Sequence, residues 1–300
     1  MNNSKKCAVI AAGAAVLLVA GGASAASAVE EEPTARELFQ EIAPAEVAAA
    51  VADDGATVSS SGDVVATATD TTISVASPEG QVTLTAPAET EQSRITGILM
   101  EDASALFSIE LQGPSAPQDY VFTSDLPQGA TATLLDGGGV MYFDAEGAYL
   151  SALAAPWARD ASGQEIPTSF SLDGTTVIQH VDVDAVADIS YPVVADPWQG
   201  KALYQAAWVT DQGGSGYVVN AVPTVFGRQA ANVLAYGPHA DEVRAKLGSL
   251  AYKFTPTIEE QLICHVNWNN NGTYGGPTWN LESWRPAVHW WLQTAQGCNP

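Results

Sequence analysis

Near the C-terminus three polar side chains, His265, Glu282 and Arg285, lie among closely spaced tryptophans. A histidine oriented by a carboxylate can move protons, so His265 with Glu282 is a pattern suited to hydrolysis. The nucleophile such a site needs has no visible motif, because the chain contains no Gly-x-Ser-x-Gly. His239, His265 and His289 lack a zinc-like spacing, and there is no His-Glu-x-x-His or Cys-x-x-Cys. No catalytic residue, metal ligand or cofactor is therefore assigned. Glu282 and Arg285, three apart, suit an ion pair on one helical turn or around a bend before Pro286. Arg285 can also stack on Trp279 or Trp284 by a cation–π contact. Two readings follow, a structural pair with a stacked guanidinium or a surface that recognises a carboxylate or a sugar. The candidate binding residues are His265, Trp279, Glu282, Trp284 and Arg285.

Export and cross-linking come from the two ends of the chain. Lys5 and Lys6, the apolar run Cys7–Ala20 and the small residues Ala26-Ser27-Ala28 read as a secretory leader over residues 1–28. That run is too short to span a bilayer as a helix, which takes about 20 residues. The mature chain is expected to be secreted, with no membrane span. Cleavage removes Cys7 and leaves Cys264 and Cys298, a pair expected to form a disulfide in an oxidising compartment. The competing reading of Cys264-His265 as a catalytic or metal pair is weaker, because adjacent side chains rarely point at one another.

Charge divides the remainder. Val29–Pro197 carries 28 Asp and Glu against three Arg, a net charge of −25, whereas Trp198–Pro300 has six acids and six bases. The acidic front argues against nucleic acid as a partner. It contains no Asp-x-Asp-x-Asp-Gly loop for calcium. Seven of the eight Trp lie behind Pro197. These shifts divide the mature chain into an acidic helical arm (29–55), a β-rich domain (56–197) and a Trp-rich α+β domain (198–300).

Within the arm, Thr34 with Glu37 fits a capping box, Leu38, Phe39 and Ile42 form one stripe, and Pro44 opens a second helix through Val51. Short Val/Thr/Ile runs with period two between 64 and 182, divided by turns such as Asp173-Gly174, predict an antiparallel sandwich or open barrel. Asp182 and Asp184 fit a solvated strand edge. In the last domain a strand is expected over 216–224 and a helix over 240–250 bearing a Glu242–Lys246 pair. A second helix runs to Cys264, with Thr257 and Glu260 as its capping box. Trp290 and Trp291 are adjacent and diverge, so one of them is expected at the surface.

Two stretches carry resemblances. Tyr191-Pro192-Val193-Val194-Ala195-Asp196-Pro197 and Ala155-Pro156-Trp157-Ala158-Arg159-Asp160 are similar to exported actinobacterial proteins in which a β-rich region precedes a variable C-terminal domain. By itself the first phrase fits an edge strand leading into a linker. Gln261 with Cys264-His265, the string Pro277-Thr278-Trp279-Asn280-Leu281-Glu282-Ser283-Trp284-Arg285-Pro286, and Cys298-Asn299-Pro300 resemble a secreted bacterial family known as domain of unknown function 2599. Pro223-Thr224 and Gly227-Arg228 fit its upstream part. The resemblance brings no activity with it, and Ser283 stands where the family often has proline.

The expected fold is mixed: a β-rich, sandwich or barrel-like N-terminal domain and a small disulfide-stapled α+β C-terminal domain. The expected function is that of a non-enzymatic binding module outside the cell or at its envelope, with a protein or a cell-envelope glycan as partner. The alternative is a secreted hydrolase or toxin-like effector using His265, Glu282 and Arg285.

Overall fold

The computed structural model describes residues 33–230, 235–268 and 276–298. The expected leader and the Asn269–Gly272 loop lie outside them. Thr34 caps α1 (Ala35–Ile42) with the reciprocal Glu37 bonds of a capping box. The stripe on α1 buries Phe39 and Ile42. Pro44 opens α2, which is only Ala45–Ala48. Val51, expected to be helical, instead bridges Met100 of the sheet.

The β-rich region holds β1 (Val58–Ser61), β2 (Val64–Ala68), β3 (Thr72–Ser77), β4 (Gly80–Thr85), β5 (Ser93–Leu99), β6 (Ala105–Leu111), β7 (Asp119–Asp125), β8 (Thr131–Leu134), β9 (Val140–Phe143), β10 (Tyr149–Leu153), β11 (Ala158–Asp160), β12 (Thr168–Asp173), β13 (Thr176–Val181), β14 (Val193–Ala195) and β15 (Trp198–Gly200). Seven strands form one open antiparallel sheet in the order β1-β2-β3-β4-β7-β13-β12. Eight form the other, β11-β14-β6-β15-β10-β9-β8, with β5 also on β6. Ile73, Val82, Leu84 and Phe122 from the first sheet meet Phe107, Ile109, Tyr142 and Leu153 from the second in one core, so the sheets pack as a sandwich. Phe107 and Phe122 stack across it with centroids 5.6 Å apart.

All seven residues of β6 are buried. Alternate side chains point to opposite faces of a sheet, so an unbroken buried run means that both faces are covered. The inner face meets the sandwich core. The outer face, through Leu106, joins a second core with Phe39 and Ile42 of α1 and with the C-terminal residues Tyr204, Phe226 and Trp279.

The Tyr-Pro-Val-Val-Ala-Asp-Pro stretch is not the expected edge strand. β14 is interior, paired with β11 on one side and β6 on the other. Its prolines fall just outside the paired residues and remove no ladder donor. Pro197 instead accepts from Phe107 N at 3.0 Å. β15 pairs with β6 on one side and β10 on the other, so the compositional shift at Pro197 falls inside this sheet. Nor do Asp182 and Asp184 lie on a strand. Asp182 caps the 3-10 turn Val183–Ala185, and Asp184 accepts from Gln118 at 2.9 Å.

After β15 come β16 (Tyr204–Asp211), β17 (Tyr217–Pro223), α3 (Val225–Gln229), α4 (Tyr236–Leu247), α5 (Pro256–Trp268), β18 (Trp279–Glu282) and α6 (Trp290–Gln293). The three strands form a small antiparallel sheet, β16-β17-β18. Thr224 caps α3, accepting from Gly227 N and donating to Ala202 O. Gly227 must be glycine: a Cβ there would stand 2.0 Å from the Leu203 carbonyl oxygen. Glu242 on α4 pairs with Lys246 and accepts from the Leu203 and Tyr204 amides at 2.8 and 3.1 Å. That carboxylate ties the connection after β15 to the helix. Cys264 and Cys298 are bonded, joining α5 to the end of the described chain.

Candidate binding surface

The five candidate residues fall into two groups. β18 alternates, with Trp279 and Leu281 buried and Asn280 and Glu282 facing out. Trp279 therefore faces the core. Its ring meets Tyr204 edge-on at 5.9 Å and lies nearly parallel to the His265 ring at 5.5 Å. The Arg228 guanidinium stands 5.6 Å from the Trp279 centroid. Arg228 also donates to the Gly276 and Pro277 carbonyls, fixing the approach to β18. Thus Trp279 is stacked by Arg228, where the sequence pointed to Arg285.

His265 lies one residue after the buried Cys264, and its ring covers Trp279. Burial first, and then the neighbouring Arg228 charge, push its pKa down to about 4, so the imidazole is neutral at neutral pH. No hydrogen bond joins His265 to Glu282 among the described residues. The carboxylate that was to orient the histidine pairs instead with Arg285.

The second group, Glu282, Trp284 and Arg285, sits at the end of β18. Here the sequence motif has a clear architectural meaning. Gln261, nearly fully buried on α5, donates to Glu282 O at 3.0 Å and accepts from Glu282 N at 2.8 Å. Its amide thus continues the ladder on the open side of β18. On the other side Ser283 N donates to Tyr217 O, and Tyr217 N donates to Ser283 Oγ. Gly216 allows this close approach: a Cβ there would lie 2.5 Å from Ser283 Oγ. Arg285 N then donates to Glu282 O, a turn rather than the helical alternative, and Thr257 Oγ1 donates to Arg285 O.

Thr257 forms no capping box with Glu260. Pro256 starts the helix, placing Thr257 inside it. Glu260 accepts from Trp290 N at 2.6 Å and holds α6. The outcome is a fixed Glu282–Arg285 pair beside Trp284, a residue that is 45% exposed. Trp290 turns inward against Tyr236 and Trp291 stays exposed, as their adjacency required.

Sequence reasoning missed the buried pair Tyr204–His239. Tyr204 OH donates to His239 Nδ1 at 2.8 Å, and His239 Nε2 donates to Ala230 O at 3.1 Å. Burial pushes this histidine's pKa down to about 4 as well. Nothing in the spacing of residues 204 and 239 announces the pairing. Among the described residues no cluster of three or more His, Cys, Asp or Glu could hold a metal.

A family described as protein of unknown function (DUF2599) matches residues 203–300. Uncharacterised proteins of Mycobacterium tuberculosis and Mycobacterium bovis are 33% identical over 118 residues, covering 35% of this chain and 78% of each relative. No solved structure matches the chain. The clamped β18 motif and the Cys264–Cys298 bond both lie within the matched region, and with these relatives the chain belongs to the DUF2599 family.

Proposed function

We propose that the protein is an exported, non-enzymatic binding module whose C-terminal sheet presents Glu282, Trp284 and Arg285 to a protein or glycan of the cell envelope. The observation that carries this reading is the exposed Trp284 ring beside a preformed Glu282–Arg285 pair, on a strand end fixed by Gln261 and Ser283. A rigid aromatic with a planar guanidinium suits carboxylates and sugars, and preorganisation lowers the entropy lost on binding. His265 and Trp279 support the platform from beneath. Export is supported by the apolar leader and by the disulfide. No helix among the described residues is long and apolar enough to cross a membrane. A role without turnover is supported by His265, which is neutral, covers Trp279 and has no hydrogen bond to Glu282.

The test is binding of the purified protein to cell-envelope fractions from a producing strain. Trp284→Ala and Arg285→Ala should each weaken it by about 30-fold, the scale of an interface hot spot. Wild-type retention of both variants would remove this surface from consideration.

A further inference from the structure

A second site lies away from the C-terminal surface. A cleft of about 510 Å3 opens where α2, the chain from β10 through β11 and the end of α3 meet. Its size is that of a small-ligand pocket, and junctions of separate chain segments are where such pockets collect. Glu46, Trp157, Arg159, Glu165 and Gln229 line it.

Trp157 is held in place before any ligand arrives. Its amide donates to Asp196 Oδ1 at 2.9 Å, and its ring packs on Phe39 with centroids 5.8 Å apart. Yet its indole N–H is buried and has no acceptor among the described residues. An unmade bond of this kind is costly, and a ligand acceptor would satisfy it. Among the described residues the Arg159 guanidinium makes one long contact, 3.4 Å to Glu165, which leaves most of its five N–H donors available.

Charge narrows the ligand class. The cleft sets two carboxylates against one guanidinium in the most acidic part of the chain. An anion is repelled by this field, and a cation would face the two donors on Trp157 and Arg159. A neutral ligand carrying many groups that both donate and accept meets every wall, and hydroxyl groups do both. An indole face adds an apolar surface for a ring. The geometry points to a neutral oligosaccharide site centred on Trp157 and Arg159. This site stands independently of the surface proposed at Trp284.

Isothermal titration calorimetry of the full chain with chitotriose, maltotriose and the anionic trigalacturonate tests it. At least one neutral trisaccharide should bind and trigalacturonate should not. Trp157→Phe keeps the ring on Phe39 and removes the N–H, so it should weaken binding about fivefold, the value of one neutral hydrogen bond. Arg159→Met should weaken it at least as much, and it decides the question if Trp157→Phe does not fold. Val121→Ala, at an exposed position of β7 that lines neither site, should leave the affinity unchanged. The assignment is overturned if neither neutral trisaccharide binds, if trigalacturonate binds better, if the folded Trp157 and Arg159 variants bind like the wild type, or if Val121→Ala abolishes binding.

Discussion

Asp160 closes β11 and Asp196 follows β14, and each carboxylate reaches across to the chain flanking the other strand. Asp160 accepts from Ser190 N, and from Ser162 N and Gln164 N in its own turn. Asp196 accepts from Trp157 N. The two carboxylates thereby fix both ends of the β11–β14 ladder. Their environments differ. Asp160 gathers enough hydrogen-bond donors to lie below the usual carboxylate range despite burial. Asp196 is fully buried with one oxygen unpartnered, and burial pushes its pKa up to about 8. A carboxyl whose folded pKa is raised keeps its proton while the unfolded chain loses it. Stability is therefore highest below about pH 4 for this group and falls as pH rises toward 8, by at most on the order of 5 kcal/mol. Asp196→Asn keeps the oxygen that meets Trp157 and cannot ionise. Urea denaturation from pH 4 to 8 should show a clearly flatter decline in the variant; parallel curves would mean that Asp196 is ionised in the folded protein.

Among the elements, β18 shows how a four-residue strand is held on a sheet edge. Tyr217 and the residues after it in β17 bind one side, and the Gln261 amide binds the other at Glu282. That bond pair explains a polar side chain among the buried residues Ile258, Leu262, Cys264 and Val266 of α5. Gln261→Leu preserves volume but leaves the Glu282 N–H and C=O without these partners. It should cost about 2–3 kcal/mol in urea denaturation, the sum expected for two lost bonds. Amide exchange at Glu282 should also speed up. An unchanged midpoint with unchanged exchange would mean that the bonds contribute nothing to holding the strand. α4 uses the same device in another form: Glu242 binds two successive amides of the connection entering β16.

For the whole molecule, the disulfide closes a 34-residue separation that contains β18 and α6. Chain entropy gives such a closure about 3–4 kcal/mol. Cys264→Ser with Cys298→Ser should lower unfolding stability by that amount; equal denaturation midpoints before and after reduction would show that packing alone holds the segment. The sequence by itself determined the cysteine pair, the capped first helix, most strands of the sandwich and the helices around Val243 and Leu262, because these depend on local periodicity, caps and composition. It did not determine β5, where Gly97 interrupts the strand pattern, or the interior position of β14, where prolines suggested an edge. Nor did it separate the candidate site into its two halves. Trp279 and Trp284 look alike in a motif five residues apart, yet strand alternation sends the first into the core, and the turn after Glu282 leaves the second exposed. Arg228, Tyr204 and His239 reach the site from distant positions. Only tertiary packing decides such pairings, because they depend on which faces two separate elements present to each other and not on spacing along the chain.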